Sequence, residues 1–150
     1  MNIQDSLEKL QKFFLENLID PLHKRTKWVY TDEGRIELDK SPYPKILLKV
    51  VEQNEKELNQ IGSHETYNTD EVEMHIKAKL GNKYGLGDKK YTGKEFVAEI
   101  GKQAEELLKD KATLKQLNDF QSILLTGDNY EFDKEKNPTF ILRIQTQYID

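Results

Sequence analysis

Glu71-Val72-Glu73-Met74-His75-Ile76-Lys77-Ala78-Lys79-Leu80 alternates without a fault. Val72, Met74, Ile76, Ala78 and Leu80 point one way; Glu71, Glu73, His75, Lys77 and Lys79 point the other. Strict period two is the mark of a strand in a sheet with one dry and one wet face. A dry face must be covered, so amphipathic helices are expected elsewhere in the chain. The first is N-terminal, where Ile3, Leu7, Leu10, Phe14 and Leu18 recur at spacings of four and three, widened by Phe13 and Leu15. Asp20-Pro21 stops it, because a residue before proline is pushed out of the helical region. The second begins at Thr92-Gly93-Lys94-Glu95, a capping box, and runs to about Asp110 with Phe96, Val97, Ile100, Ala104, Leu107 and Leu108 on its apolar side.

The remaining segments are read as strands and loops. Lys27-Trp28-Val29-Tyr30-Thr31 and Arg35-Ile36-Glu37-Leu38 flank Asp32-Glu33-Gly34, which predicts a hairpin. Ser41-Pro42-Tyr43-Pro44 is a rigid link into Lys45–Val51, a run apolar on both faces and so a central strand at least partly covered on both sides. The polar stretch Glu52–Asn68 reads as a loop, with room for a fragment of helix, and Gly81–Tyr91 as a glycine-rich connection. Leu114, Leu117 and Phe120 suggest a short further turn of helix, and Gln121–Thr126 a strand broken by Gly127-Asp128-Asn129. Asp128–Pro138 then reads as a charged loop carrying Tyr130 and Phe132. The closing strand is Thr139–Ile149, with Phe140, Leu142, Ile144 and Tyr148 on one face. The expected fold is a single α+β domain over residues 1–150: a mainly antiparallel sheet with the N-terminal helix and the second amphipathic helix packed on one face.

Composition bounds the function. The 150 residues carry a net charge of −4, with 36% apolar and 33% charged residues and no cysteine. Disulfides and thiolate metal sites are excluded. No window approaches the ~20 apolar residues of a membrane span, so no membrane partner is expected. Met1-Asn2-Ile3-Gln4-Asp5 lacks the basic start and apolar stretch of a signal peptide, which predicts the cytoplasm. Six Phe, seven Tyr and Trp28 argue against disorder. The acidic balance argues against general affinity for nucleic acid.

Chemistry is hard to find. Glu71, Glu73 and His75 line one strand face about 7 Å apart per pair, too far for a compact metal shell, and read as a solvated face balanced by Lys77 and Lys79. No serine sits in a Gly-x-Ser-x-Gly elbow, and the adjacent pair Ser63-His64 lies in a loop. Gly85-Leu86-Gly87 is followed by neither Gly-Lys-Ser/Thr nor a third glycine at position 90, so it reads as a loop rather than a phosphate cradle. Asp39 and Glu52 could hold Mg²⁺ as in PD-(D/E)xK nucleases, but Asn54 stands where the lysine belongs. His23-Lys24-Arg25-Thr26-Lys27 beside Trp28 and Tyr30 could bind phosphates and bases, yet Asp32-Glu33 follows at once and ordinary surface charge is the plainer reading. No catalytic, cofactor-binding or metal-binding residue is expected, and no cofactor.

The arrangement itself carries a resemblance. An N-terminal helix leads to the Tyr43–Val50 strand with its Pro-x-Ile start, a long polar loop, the alternating strand from Glu71, the Thr-Gly-x-Glu helix entry at Thr92, and two closing strands. This order, over about residues 3 to 149, resembles the tail-terminator and tail-completion (head–tail joining) proteins of tailed viruses. The resemblance implies a non-enzymatic virion structural protein, assembled in the host cytoplasm. It would be a ring-forming homo-oligomer, most often a hexamer, between the tail tube and the neck or connector proteins. Glu52–Asn68, Gly81–Tyr91 and Asp128–Pro138 would reach neighbouring subunits, and the candidate inter-subunit contacts are Trp28, Tyr30, Tyr130 and Phe132. A pore lined by Asp128, Glu131, Asp133 and Glu135 would repel DNA phosphates and let DNA slide through; lining by Lys24, Arg25 and Lys27 would contradict that. The alternatives are a cellular non-catalytic adaptor or binding module, and a divergent metal-dependent nuclease.

Overall fold

The computed structural model describes residues 1–23, 25–57 and 65–150. Along the chain these form helix α1 (Ile3–Asn17), strand β1 (Val29–Thr31), a 3₁₀ turn (Asp32–Gly34), helix α2 (Arg35–Lys40) and strand β2 (Lys45–Glu57). Strands β3 (Thr66–Lys77), β4 (Lys83–Leu86) and β5 (Lys89–Thr92) follow, then helix α3 (Gly93–Lys109) and the short helix α4 (Lys111–Leu114) with a 3₁₀ turn to Leu117. Strands β6 (Ser122–Phe132) and β7 (Pro138–Ile149) close the chain. The architecture is α+β: a five-stranded, mostly antiparallel sheet in the order β1-β2-β3-β7-β6, with a separate β4–β5 hairpin.

The alternating stretch lies in the centre of the sheet as far as Lys77; Leu80, expected on the dry face, falls in the turn beyond β3 and is 58% exposed. Val72, Met74 and Ile76 of β3 stand beside Ile46, Leu48 and Val50 of β2 and Phe140, Leu142 and Ile144 of β7. Helix α1 covers this face with Leu7, Leu10, Phe13 and Phe14, and α3 with Phe96, Val97, Ile100, Ala104 and Leu108. Each large apolar side chain among them contributes roughly 2 kcal/mol by leaving water. Both helices start on capping boxes: Asn2 Oδ1 accepts from the Asp5 amide at 2.8 Å, and Glu95 Oε1 accepts from the Thr92 amide at 3.0 Å. Gly101 lets α3 close on β7, since any Cβ there would overlap the Phe140 ring.

The segment after Trp28 departs from the expected hairpin. Val29–Thr31 is a strand, but Arg35–Leu38 belongs to α2, and β1 pairs with β2 in parallel, Val29 beside Ile46 and Thr31 beside Leu48. A parallel neighbour needs a crossover, and α2 is part of it. It packs on the face opposite α1 and α3, where Leu38 joins Tyr30 and Leu47 in a small second core. Thus β2 is covered on both sides at its start, as its sequence suggested.

Three loop expectations also give way. Strand β2 continues through Glu57 and β3 begins at Thr66, so most of Glu52–Asn68 is paired backbone; residues 58–64, including Ser63-His64, lie outside the described residues. Residues 81–91 hold β4 and most of β5, with Gly87 at φ +63° in the turn. Gly127-Asp128-Asn129 does not break β6, which pairs with β7 from Ser122 to Phe132. Strands β2 and β6 each absorb one extra residue as a bulge, Val51 in β2 and Thr126 in β6.

Candidate functional site

The wet face of β3 is a network, only partly wet. Glu73 and His75 are 17% and 16% exposed at their side chains, with His75 Nε2 3.0 Å from Glu73 Oε1. Arg143 reaches Glu73 from β7 at 3.4 Å, and Gln145 donates to Glu71 at 2.9 Å. Burial pulls the His75 imidazole below its ordinary range, against the opposing pull of Glu73. Among the described residues no group of three His, Asp or Glu is placed to hold a metal.

The nuclease pair is not brought together. Asp39 sits in α2 at the Lys45 end of β2, whereas Glu52 lies seven residues up the strand, about 23 Å at a rise of about 3.3 Å per residue. Of the basic stretch, Arg25 and Lys27 are taken up by pairing, and Lys24 lies outside the described residues. Arg25 grips Asp20 with two bonds of 2.7 and 2.8 Å, donates to the Pro42 carbonyl at 2.8 Å and lies over the Trp28 ring. Lys27 pairs with Glu37 at 3.2 Å and lies over Tyr30.

The four candidate contact aromatics divide. Trp28 and Tyr30 are 2% and 5% exposed and have almost no surface to offer a neighbour; they are core residues, held there by the α2 crossover and α1. Tyr130 and Phe132 are 40% and 54% exposed. They lie on strand β6 rather than a loop, on the side facing α3, where the Tyr130 ring meets Phe140 edge-on and Lys94 stands 5.5 Å from its centre. Of the four acids proposed for a pore, Asp128 and Glu131 are on β6 and all four are exposed. Asp133 shapes its own turn: it accepts from the amides of Glu135 and Asn137, both at 2.9 Å, and from the Asn137 side chain. These bonds hold its carboxyl below the usual range.

Beside Phe132 lies a groove of about 330 Å³, which the sequence did not reveal. Its floor is apolar: Leu80, Gly93, Phe132 and Pro138, with Leu80 58% exposed. Its rim carries Lys83, Lys94 and Lys136. The start of α3, the turn before β4 and the β6–β7 turn meet there because Gly93 allows the backbone of Lys79 to approach within 2.9 Å of where a Cβ would stand. Among the described residues none of these three lysines is in an ion pair.

A second feature is interior. On the helix-facing side, Asn68 and Asp70 of β3 stand beside Tyr148 and Thr146 of β7, and all four are buried. Asp70 is fully buried, with the Tyr148 hydroxyl nearby, and among the described residues neither carboxylate oxygen has a formed hydrogen bond. Burial raises its pKa, the Tyr148 hydroxyl opposes and Glu55 adds to the rise. The signal was present in the sequence: continued back two steps, the alternation from Val72 places Asp70 and Asn68 in the dry register.

No protein-family model matches the chain, and no curated protein matches it. Among the described residues no helix is long and apolar enough to cross a membrane.

Proposed function

We propose that this chain is a non-enzymatic, ring-forming structural subunit of the viral head–tail junction, resembling tail terminators, placed between the tail tube and the neck. The reading rests on the order of elements and on one observation that carries it. The sheet ends in β6, an eleven-residue strand that pairs only with β7 among the described residues and presents Leu124, Tyr130 and Phe132 to solvent. An unpaired strand edge is a template for another chain, and exposed aromatics are enriched where proteins meet. A ring needs contacts of this kind, made between different patches so that rotation closes them.

Electron microscopy of assembled particles is the test. The chain, located by a specific label, is expected in a ring where the tail meets the neck. Particles in which it is absent overturn the reading. So does Mg²⁺-dependent DNA cleavage by the purified protein that is lost in Asp39→Ala and Glu52→Ala.

A further inference from the structure

Charge is segregated along β2, β3 and the start of α3, while the β6–β7 side adds the exposed Glu131, Asp133 and Glu135 to the end where lysines predominate. Residues 51–75 carry seven carboxylates and one lysine, whereas residues 76–94 carry six lysines and one aspartate. The fold turns this order into distance. Strand β3 runs from the end that holds Glu55 and Glu57 to the end that holds the lysine-rimmed groove, roughly 37 Å at about 3.4 Å per residue. The acidic end is exposed from Val51 through Glu57, and Val51, 49% exposed, is the apolar residue among its carboxylates. The basic end has an apolar floor and three lysines without an ion-pair partner among the described residues.

We infer that the groove is the docking site for the acidic end of β2 from a second copy of this chain, so that copies join head to tail. This rests on the ring-forming reading and supplies its interface. The acidic strand end brings Glu55 and Glu57, which project from one side of β2, to Lys83, Lys94 and Lys136, while Val51 meets Leu80 and Phe132. Complementary potentials steer the encounter and fix its register, and like ends repel. Each copy uses its two ends on two different neighbours. The contact is heterologous, and it closes into a ring when the rotation per copy divides a full turn.

The test pairs two charge reversals, Lys83→Glu/Lys94→Glu and Glu55→Lys/Glu57→Lys, with mass measured by sedimentation at low salt. The wild type is expected to assemble beyond two copies and to come apart near 1 M salt, where the screening length is about 3 Å. Each variant alone is expected to self-associate roughly tenfold more weakly or worse, since both its ends carry one sign. An equimolar mixture regains association, which also shows that both variants are folded. A wild type that stays monomeric or stops at two copies, or variants that assemble like the wild type, overturn the interface. Particle imaging separates the two failures. A ring on particles with assembly indifferent to these reversals removes the interface alone; salt-sensitive assembly with no ring on particles removes the functional reading alone.

Discussion

Gly101 of α3 lies against the ring of Phe140 in β7, so closely that a methyl group there would stand 2.5 Å from the ring's Cδ1. The ring cannot simply yield, because Tyr130 meets it edge-on from β6 with centres 5.1 Å apart. The absence of a side chain at one helix position thus sets how closely the helix layer approaches the sheet, and it couples that spacing to an aromatic at the sheet's edge.

Gly101→Ala is therefore expected to destabilise the fold although alanine favours helix. Forcing a methyl into a filled core costs about 1–3 kcal/mol, more than the ~1 kcal/mol gained in helix propensity. Urea denaturation of the variant reads the difference; a variant more stable than the wild type would show that the ring has room to move.

Asp70→Asn is expected to stabilise the protein at neutral pH. An unfolded aspartate titrates near 3.9, and burial raises the folded value. Between the two the folded chain binds more protons, so stability is fully present below about pH 4 and is lost as pH rises through the folded pKa. The variant should lack this slope. At pH 7 the variant, which carries no charge to bury, is expected to be the more stable of the two, and the difference shrinks towards nothing in acid. Equal pH profiles for the two proteins would contradict the assignment.

Lys45→Met is expected to loosen α2. The Lys45 ammonium is buried under the crossover and donates to the carbonyls of Leu38 at 2.8 Å and Ser41 at 3.2 Å, beside the Tyr43 ring. Methionine keeps the stem but leaves both carbonyls without that donor, at about 1–3 kcal/mol. Amide exchange measured by mass spectrometry should quicken across 35–40 and little elsewhere.

Thr92→Ala is expected to fray the first turn of α3, at about 1 kcal/mol. Gly93 and Lys94 line the groove from that turn, so the same variant should also weaken self-association. Sedimentation and denaturation, measured together, should move in the same direction.

The central strand, both long helices and the Thr92 cap were legible because each repeats its period over enough residues, or fixes its chemistry within four. The failures have local causes. Arg35-Ile36-Glu37-Leu38 spans one helical turn or two strand repeats, and its four residues serve both periods. The structure decides by burying Leu38 and leaving Ile36 74% exposed. Gly127-Asp128-Asn129 has turn chemistry, but pairing with β7 on both sides holds it in the strand and the bulge takes up the irregularity. Trp28 and Tyr30 look like surface aromatics among charged neighbours, and only the parallel placement of β1 shows that they are interior. The groove has no sequence motif, because Leu80, Phe132 and Pro138 come together only through the sheet's register.

The extra residue in β2 has a consequence for handedness of display. Sides along a strand are assigned by parity, and the bulge at Val51 resets the count. Glu55 and Glu57 therefore project with Asn68 and Thr66, while Glu52 projects with Glu71. Were Val51 paired in an unbroken ladder instead, composition and net charge would be unchanged, yet every residue from Glu52 to Glu57 would trade sides. Asn54 and Lys56 would then stand where Glu55 and Glu57 do now. What that end of the molecule shows to another surface is thus set by an odd or even count of residues as much as by which residues they are.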